Sequence, residues 1–308
     1  MTLFALILAL IVEQVRPLQQ HAVVDDLLAR LCQRATELYD DGSYANGRLA
    51  WLLIVGASGV LTLLAHFLLL SFHPVLAFVF GAGVLYLALG FRREEGMFTD
   101  IQRALADDDV AQAARRLGDW TGRDHSSARA AELSRVAVEH ALLTAHRGLY
   151  GVLFWFVVLP GPAGVVMYRL ARRFREGCGL PSHEGESAFG DFGRQAWEWL
   201  DAIPARITAV AFSVIGNFED ALFCWRTQAV LWGDRSGGIV LAAGAGALGL
   251  RLGMPVHQDG HLVTRPELGL GAPVDVDQMP RVARMIWRVL VLYVLVLALL
   301  AIAGWVGR

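Results

Sequence analysis

The chain has 308 residues, of which 55% are hydrophobic and only 18% charged, and its formal net charge at pH 7 is -2. Soluble domains carry about 25% charged residues; here mean hydropathy is +0.46 and the apolar residues come in long blocks, which excludes an ordinary soluble fold and predicts bilayer spans. The charge balance offers nothing for a nucleic acid, and because all 27 basic residues are arginine, there is neither a Schiff-base lysine nor a Walker phosphate loop.

Anion recognition therefore falls to guanidinium forks, backbone amides or a metal. Cys32, Cys178 and Cys224 lie far apart with no CxxC spacing, and read as apolar fillers, not as a disulfide or zinc framework. Met1 to Val12 is apolar but lacks a basic leader and a small-residue cleavage site, so it reads as a retained helix. Between Arg48 and Arg92 only His66 and His73 can ionise, and Ser71-Phe72-His73-Pro74 interrupts the run. Two spans joined by a tight turn are predicted there, with His66 bonded to a neighbouring carbonyl.

From Arg92 to Arg147 the chain turns polar and carries arginine, which predicts a small helical cytoplasmic domain. Thr99-Asp100 is expected to cap a short helix. Asp107-Asp108-Asp109 is expected to start the next one, with Val110, Ala113, Ala114 and Leu117 on one face. Acidic residues at a helix N-terminus suit its dipole and need no metal. A further helix is expected from Ala128 to His146.

Gly148 to Tyr168 is uncharged and long enough to span, yet Pro160-Gly161-Pro162 breaks it and arginines crowd both ends. The positive-inside rule wants both flanks cytoplasmic, which favours a re-entrant hairpin over a simple span. Ile207 to Phe218 and Gly237 to Leu250 are apolar but short, and read as buried or interfacial helices. Val256 to Pro280, rich in Gly, Pro and Asp, reads as an irregular loop. Val289 to Val306 is the last span, with Trp287 and Trp305 at its two interfaces. The expected architecture is all-α and polytopic, divided at residues 1–91, 92–147 and 148–308. Arg16, Arg30, Arg34 and Arg48 place the first connector on the cytoplasmic side of a bacterial inner membrane.

Several constellations bear on chemistry. Gly244-Ala245-Gly246-Ala247-Leu248-Gly249 fits GxGxxG but lacks a βαβ context, so close helix packing is the expected role. His257, Asp259 and His261 lack a matched further ligand, so a solvated loop is favoured over a metal site. More telling are charges beside apolar helices: Glu13, Arg16 and His21; Arg123-Asp124; Asp201 to Arg206, with Pro204 in a first turn and Asp201 near the cap; Glu219 and Asp220, ending that helix; and Arg251. Singly each is an interfacial anchor. Together they are expected to line a polar cavity at the cytoplasmic face.

At these residues the chain resembles the CobD/CbiB membrane family of cobalamin biosynthesis and its relative AmpE. Glu13-Gln14-Val15-Arg16-Pro17 with His21-Ala22-Val23 looks like the family's acid-Pro-His-Pro-Val start. Thr121-Gly122-Arg123-Asp124 looks like its Gly-Arg-Asp turn. Ile203-Pro204-Ala205-Arg206-Ile207-Thr208-Ala209 is similar to its most distinctive string, and Gly246 to Gly253 to its C-terminal glycine segment. The resemblance implies an ATP-dependent amide bond between adenosylcobyric acid and aminopropanol phosphate, with an acyl phosphate intermediate and Mg²⁺. It assigns Asp124, Glu139 and Asp201 to catalysis, with Asp124 and Asp201 toward metal or amine. Glu13, Arg16, His21, Arg123, Arg206 and Arg251 fall to substrate, the last three to its anions. Departures lie at His140 to Gly151 and Arg169 to Gly179, where the synthases' Asn and Asp strings are missing. Met1 to Phe4, His140 to Leu143, Leu153-Phe154-Trp155 and Val214 to Glu219 look like AmpE, which implies a signalling protein without catalysis as the alternative.

Overall fold

The long apolar blocks become long helices in the computed structural model, which describes residues 2–15, 30, 34, 43–177 and 188–306. Arg16, His21, Cys32 and Cys178 lie outside the described residues, as does the side chain of Trp305. Among the described residues four helical runs are long and apolar enough to cross a membrane: Tyr44–Phe72, Pro74–Ala106, Ala130–Val158 and Val276–Gly304. Leu3–Val15 is a shorter apolar helix. Large apolar side chains such as Leu61, Leu64, Phe67, Leu295 and Leu299 point outward on these runs. A patch of that kind suits lipid, where backbone polar groups must be satisfied within the helix itself.

The described chain forms two compact units, each drawn from two stretches: Met1–Gly90 with Gly151–Ile203, and Phe91–Tyr150 with Pro204–Arg308. In the first, α1 (Thr2–Val15) packs on α4 (Pro74–Ala88), which pairs with α3 (Ala57–Phe72) as the expected hairpin. α2 (Tyr44–Trp51) runs into α3 through a π turn. The hairpin turns at His73, whose ring accepts a hydrogen bond from Val75 N–H while Pro74 takes the first helical position, where a missing N–H costs nothing. α8 (Gly151–Val158) packs on α9 (Ala163–Gly177) across Pro160-Gly161-Pro162. Gly161 has φ +66 with His66 against its α-carbon, a place only glycine fills without strain.

In the second unit α5 (Phe91–Ala106), α6 (Val110–Thr121) and α7 (Ala130–Ala145) pack together, and α7 continues through a π turn at His146–Tyr150. Asp109 caps α6 by accepting from Gln112 N–H at 2.8 Å, as the acid run predicted. Ala113, Ala114 and Leu117 are buried as the periodicity required. α11 (Phe218–Gln228) lies against α12 (Arg235–Leu248), and α13 (Met279–Val306) closes the chain. The glycines of α12 are packing residues: a β-carbon on Gly246 would stand 2.4 Å from Asp220 O, so the two helices touch backbone to backbone.

Four local expectations are corrected. Thr99 and Asp100 cap nothing, because they sit inside α5, where Thr99 Oγ1 donates to Glu95 O. Asp201 and Pro204 are not at a helix start but in the middle of α10 (Ala188–Ile215), a 28-residue helix. A proline there frees the carbonyl four residues back. That carbonyl, Leu200 O, accepts from Trp155 Nε1 at 3.3 Å, so the helix runs on with its lost bond replaced. Glu219 and Asp220 do not end this helix; they form the first turn of α11, capped by Asn217. The expected loop after Val256 contains strands instead. β1 (Leu250–Gly253) pairs antiparallel with β4 (Glu267–Leu268) and parallel with β5 (Ala272–Pro273), while β2 (Val256–Gln258) and β3 (His261–Val263) form a hairpin.

Candidate functional site

The strand region from Leu250 to Leu268 is fastened to the second unit by charges that share one face of α7. Glu132, Arg135 and Glu139 are spaced three and four residues apart, which stacks them along a helix. Glu139 is buried, and both its oxygens are engaged: Oε1 accepts from Gly253 N–H at 2.8 Å and Oε2 from Arg265 Nη1 at 2.7 Å. Arg265 also donates through Nε to Met254 O at 3.2 Å and through Nη2 to Gly253 O at 3.3 Å, with its guanidinium over the Trp232 ring. Arg135 donates to Pro255 O at 2.6 Å, its Nε 4.0 Å from Glu139 Oε1. Glu132 accepts from His257 N–H at 3.2 Å and lies 3.1 Å from the ring Nδ1.

This grip holds an unusual turn. Gly253 and Met254 both have positive φ, +71 and +65, and for methionine that conformation is strained. A β-carbon on Gly253 would sit 1.8 Å from Pro266 O, so no other residue fits.

The Gly-Arg-Asp turn reaches the same region. Gly122 ends α6 in the left-handed conformation, φ 71, as a C-terminal glycine does. Asp124 N–H then donates to Asp259 Oδ1 at 2.8 Å, while Asp259 N–H donates to Asp124 O at 2.8 Å. The Asp124 carboxylate accepts from Ser126 N–H and Oγ, both at 2.9 Å. These bonds hold Asp124 below the usual carboxylate range, and the Asp124 amide does the same for Asp259. His125 is buried, with Nε2 3.1 Å from Thr121 Oγ1; burial lowers its pKa because the charged ring would lose its water.

Three residues singled out in the sequence, Asp124, Glu139 and Arg251, thus converge on one region. Arg251 lies on β1, its guanidinium 3.6 Å from Glu267; Arg123 is exposed beside Asp124. Arg206 is exposed on α10 in the same unit. In the other unit Glu13 is buried at the end of α1 and Asp201 is wholly buried, accepting from Tyr168 O–H at 2.7 Å. Arg265, Arg135 and Glu132 were not singled out in the sequence, although the Glu132/Arg135/Glu139 spacing was there to be seen, and His257, expected in a solvated loop, is bonded to Glu132. Nor did the sequence point to the half-buried pair Arg147–Asp234 or the chain His146 Nδ1 to Thr208 Oγ1 at 3.0 Å and on to Tyr293 at 3.3 Å. Among the described residues no three His, Cys, Asp or Glu side chains are placed to hold a metal ion.

A helical protein built to cross a bilayer several times, with a charge-clamped strand region folded on one of its long helices, is the class these features define. The sequence pattern of the family described as CobD/Cbib protein matches residues 2–286, and the chain belongs to this family. A cobalamin biosynthesis protein CobD of Stutzerimonas stutzeri strain A1501 is 34% identical over 293 residues, 94% of this chain and 93% of that protein. A CobD of Chromobacterium violaceum is 34% identical over 237 residues, 76% of this chain and 75% of that protein. A CbiB of Salmonella arizonae is 25% identical over 276 residues, 86% and 82% of the two chains. No solved structure matches.

Proposed function

We propose that this protein is a cobinamide-phosphate synthase of a bacterial inner membrane, joining adenosylcobyric acid to aminopropanol phosphate with ATP. The family match across residues 2–286 supports a role in cobalamin biosynthesis. The observation that carries the finer reading is the convergence of Asp124, Glu139 and Arg251 on the strand region Leu250 to Leu268.

In the proposed reaction a corrinoid carboxylate attacks the γ-phosphorus of ATP, giving an acyl phosphate and ADP. The neutral amine then attacks the acyl carbon, the C–O bond to phosphate breaks, and the amine proton passes to a carboxylate. Arg123, Arg206 and Arg251 would hold the anionic groups, since a lysine-free chain has only guanidinium as a permanent cation. Asp124 would face the amine. Mg²⁺ is taken as arriving on the nucleotide phosphates, completed by a carboxylate or two and water, the usual way this ion is held. Glu139, both oxygens spent on Gly253 and Arg265, acts as a positioning residue.

Membranes containing the protein, given adenosylcobyric acid, aminopropanol phosphate, ATP and Mg²⁺, should form adenosylcobinamide phosphate. Arg251→Ala should lower kcat/KM by about 10- to 100-fold, the loss of one charge-assisted contact. No product, beside an active synthase control, would sink the reading and leave a signalling role of the AmpE kind.

A further inference from the structure

In the second unit the turn that joins α11 to α12 presents apolar side chains outward. Ala229–Leu231 makes one tight helical turn after α11. Val230 is 81% exposed and Leu231 57%; Phe223, two helical turns before Val230 and on the same side, is 51% exposed. Arg226 lies between Phe223 and Val230 on that side and is exposed, as is Arg235 at the start of α12. The turn is pressed against α12, because Gly238 makes room for it. A β-carbon there would stand 2.3 Å from Ala229 O and 2.8 Å from Trp232 Cβ. Trp232 is engaged elsewhere, with the Arg265 guanidinium over its ring.

One ion pair fixes the depth of this turn. Asp234, just beyond it, pairs with Arg147, the last charged residue before the uncharged run Gly148 to Tyr168. Tyr150 O–H donates to Ile286 O on α13 at 2.7 Å. Two residues further along α13 stands Arg288, the last charge before the final span. The last charges of two helices thus lie at one level, as they do at a bilayer boundary, and Asp234 holds the turn there. Leu295 and Leu299, further along α13, are exposed toward lipid in the same unit.

A patch of three side chains falls well short of the roughly 800 Å² per partner of a stable protein interface. It suits a bilayer surface, where apolar side chains sink roughly 5–10 Å into the headgroup boundary and arginines meet lipid phosphate. We propose that Phe223, Val230 and Leu231 seat in the headgroup boundary of the bilayer, with Arg226 and Arg235 on the phosphates of anionic lipid. The α11–α12 pair then lies on the membrane as a third attachment of this unit, beside its long helices. This placement does not depend on the synthase reading.

The test uses the full-length protein in nanodiscs of phosphatidylcholine and phosphatidylglycerol, with an environment-sensitive NBD group on Val230→Cys. Cys32 and Cys178 are replaced by alanine, and Cys224, which is buried, stays as the unlabelled background. Asp107→Cys, in the turn before α6, reports water; Leu299→Cys, on α13, reports lipid. A phospholipid spin-labelled high on its acyl chain should quench Val230→Cys about threefold or more above Asp107→Cys, with iodide quenching correspondingly reduced. Arg226→Gln/Arg235→Gln should keep its melting temperature and lose most of the gain in lipid quenching that phosphatidylglycerol gives. Iodide quenching equal to that of Asp107→Cys would overturn the proposal. So would protection from both quenchers, which would mean that a second copy or another protein covers the turn. A phosphatidylglycerol effect unchanged in the double variant would overturn the role given to the arginines.

Discussion

Glu139 and Arg265 are side chains whose loss the fold will feel most. Their exposures are only 5% and 18%, and Arg265 alone ties Glu139 to two carbonyls of a strained turn. Removing the guanidinium strands a buried carboxylate, so Arg265→Ala should cost about 3–5 kcal/mol. Glu139→Gln keeps an acceptor for the Gly253 amide and should cost less, about 1–3 kcal/mol. Thermal unfolding in detergent orders the two variants. His125 gives a pH prediction at the same scale. Its folded pKa lies below its unfolded one, so its contribution is complete above the usual histidine range and drains away as pH falls through the folded value. Melting temperature followed from about pH 7 to 5 should fall less steeply in His125→Phe. Asp124 and Asp259, both lowered, have the same sign but lose their contributions only at more acid pH.

The elements show which parts of the fold were legible beforehand. The α3–α4 hairpin, the last span and the Asp109-capped helix could all be read, because each is set by local causes: apolar length, a proline at a first turn, an acid before an amphipathic run. α10 could not, because its proline marks a helix start only if the freed carbonyl has no other partner, and the partner, Trp155, is 45 residues away. The strands of 250–273 were hidden for a similar reason. They are two to four residues long and held by charges on α7, so no periodicity announces them. Of the candidate site, the motif residues were legible and the residues gripping them were not. Two substitutions probe this scale. Trp155→Phe removes the donor to Leu200 O and should cost about 1 kcal/mol. Gly246→Ala should gain about 1 kcal/mol from helix propensity alone; with Asp220 O 2.4 Å from the new methyl, it should instead destabilise by about 1–3 kcal/mol, and its melting temperature decides between the signs.

For the whole molecule, the outward apolar side chains of four long helices make lipid part of the folded state. The protein should stay in the membrane pellet through high salt and alkaline carbonate and leave it only with detergent; release by carbonate would contradict the spans. Burial therefore divides differently from a soluble protein. The interior is mostly apolar, with polar pairs such as Tyr168–Asp201 in one unit and Glu139–Arg265 in the other set within it, while leucines and phenylalanines such as Leu61, Phe67 and Leu299 are surface.

The Leu250–Leu268 region is held at three separate places: by Asp124 at the hairpin tip, by Glu132 at β2, and by Glu139 with Arg135 at the turn after β1. A ribbon tied three times has redundancy that one tied once lacks. Severing one tie leaves the ribbon's ends still close, so the broken bond re-forms at high local concentration. Severing two releases a flap. Damage here should therefore be sharply non-additive: Asp259→Ala and Glu132→Gln should each be mild, and the pair together should expose the Gly260 tip to protease.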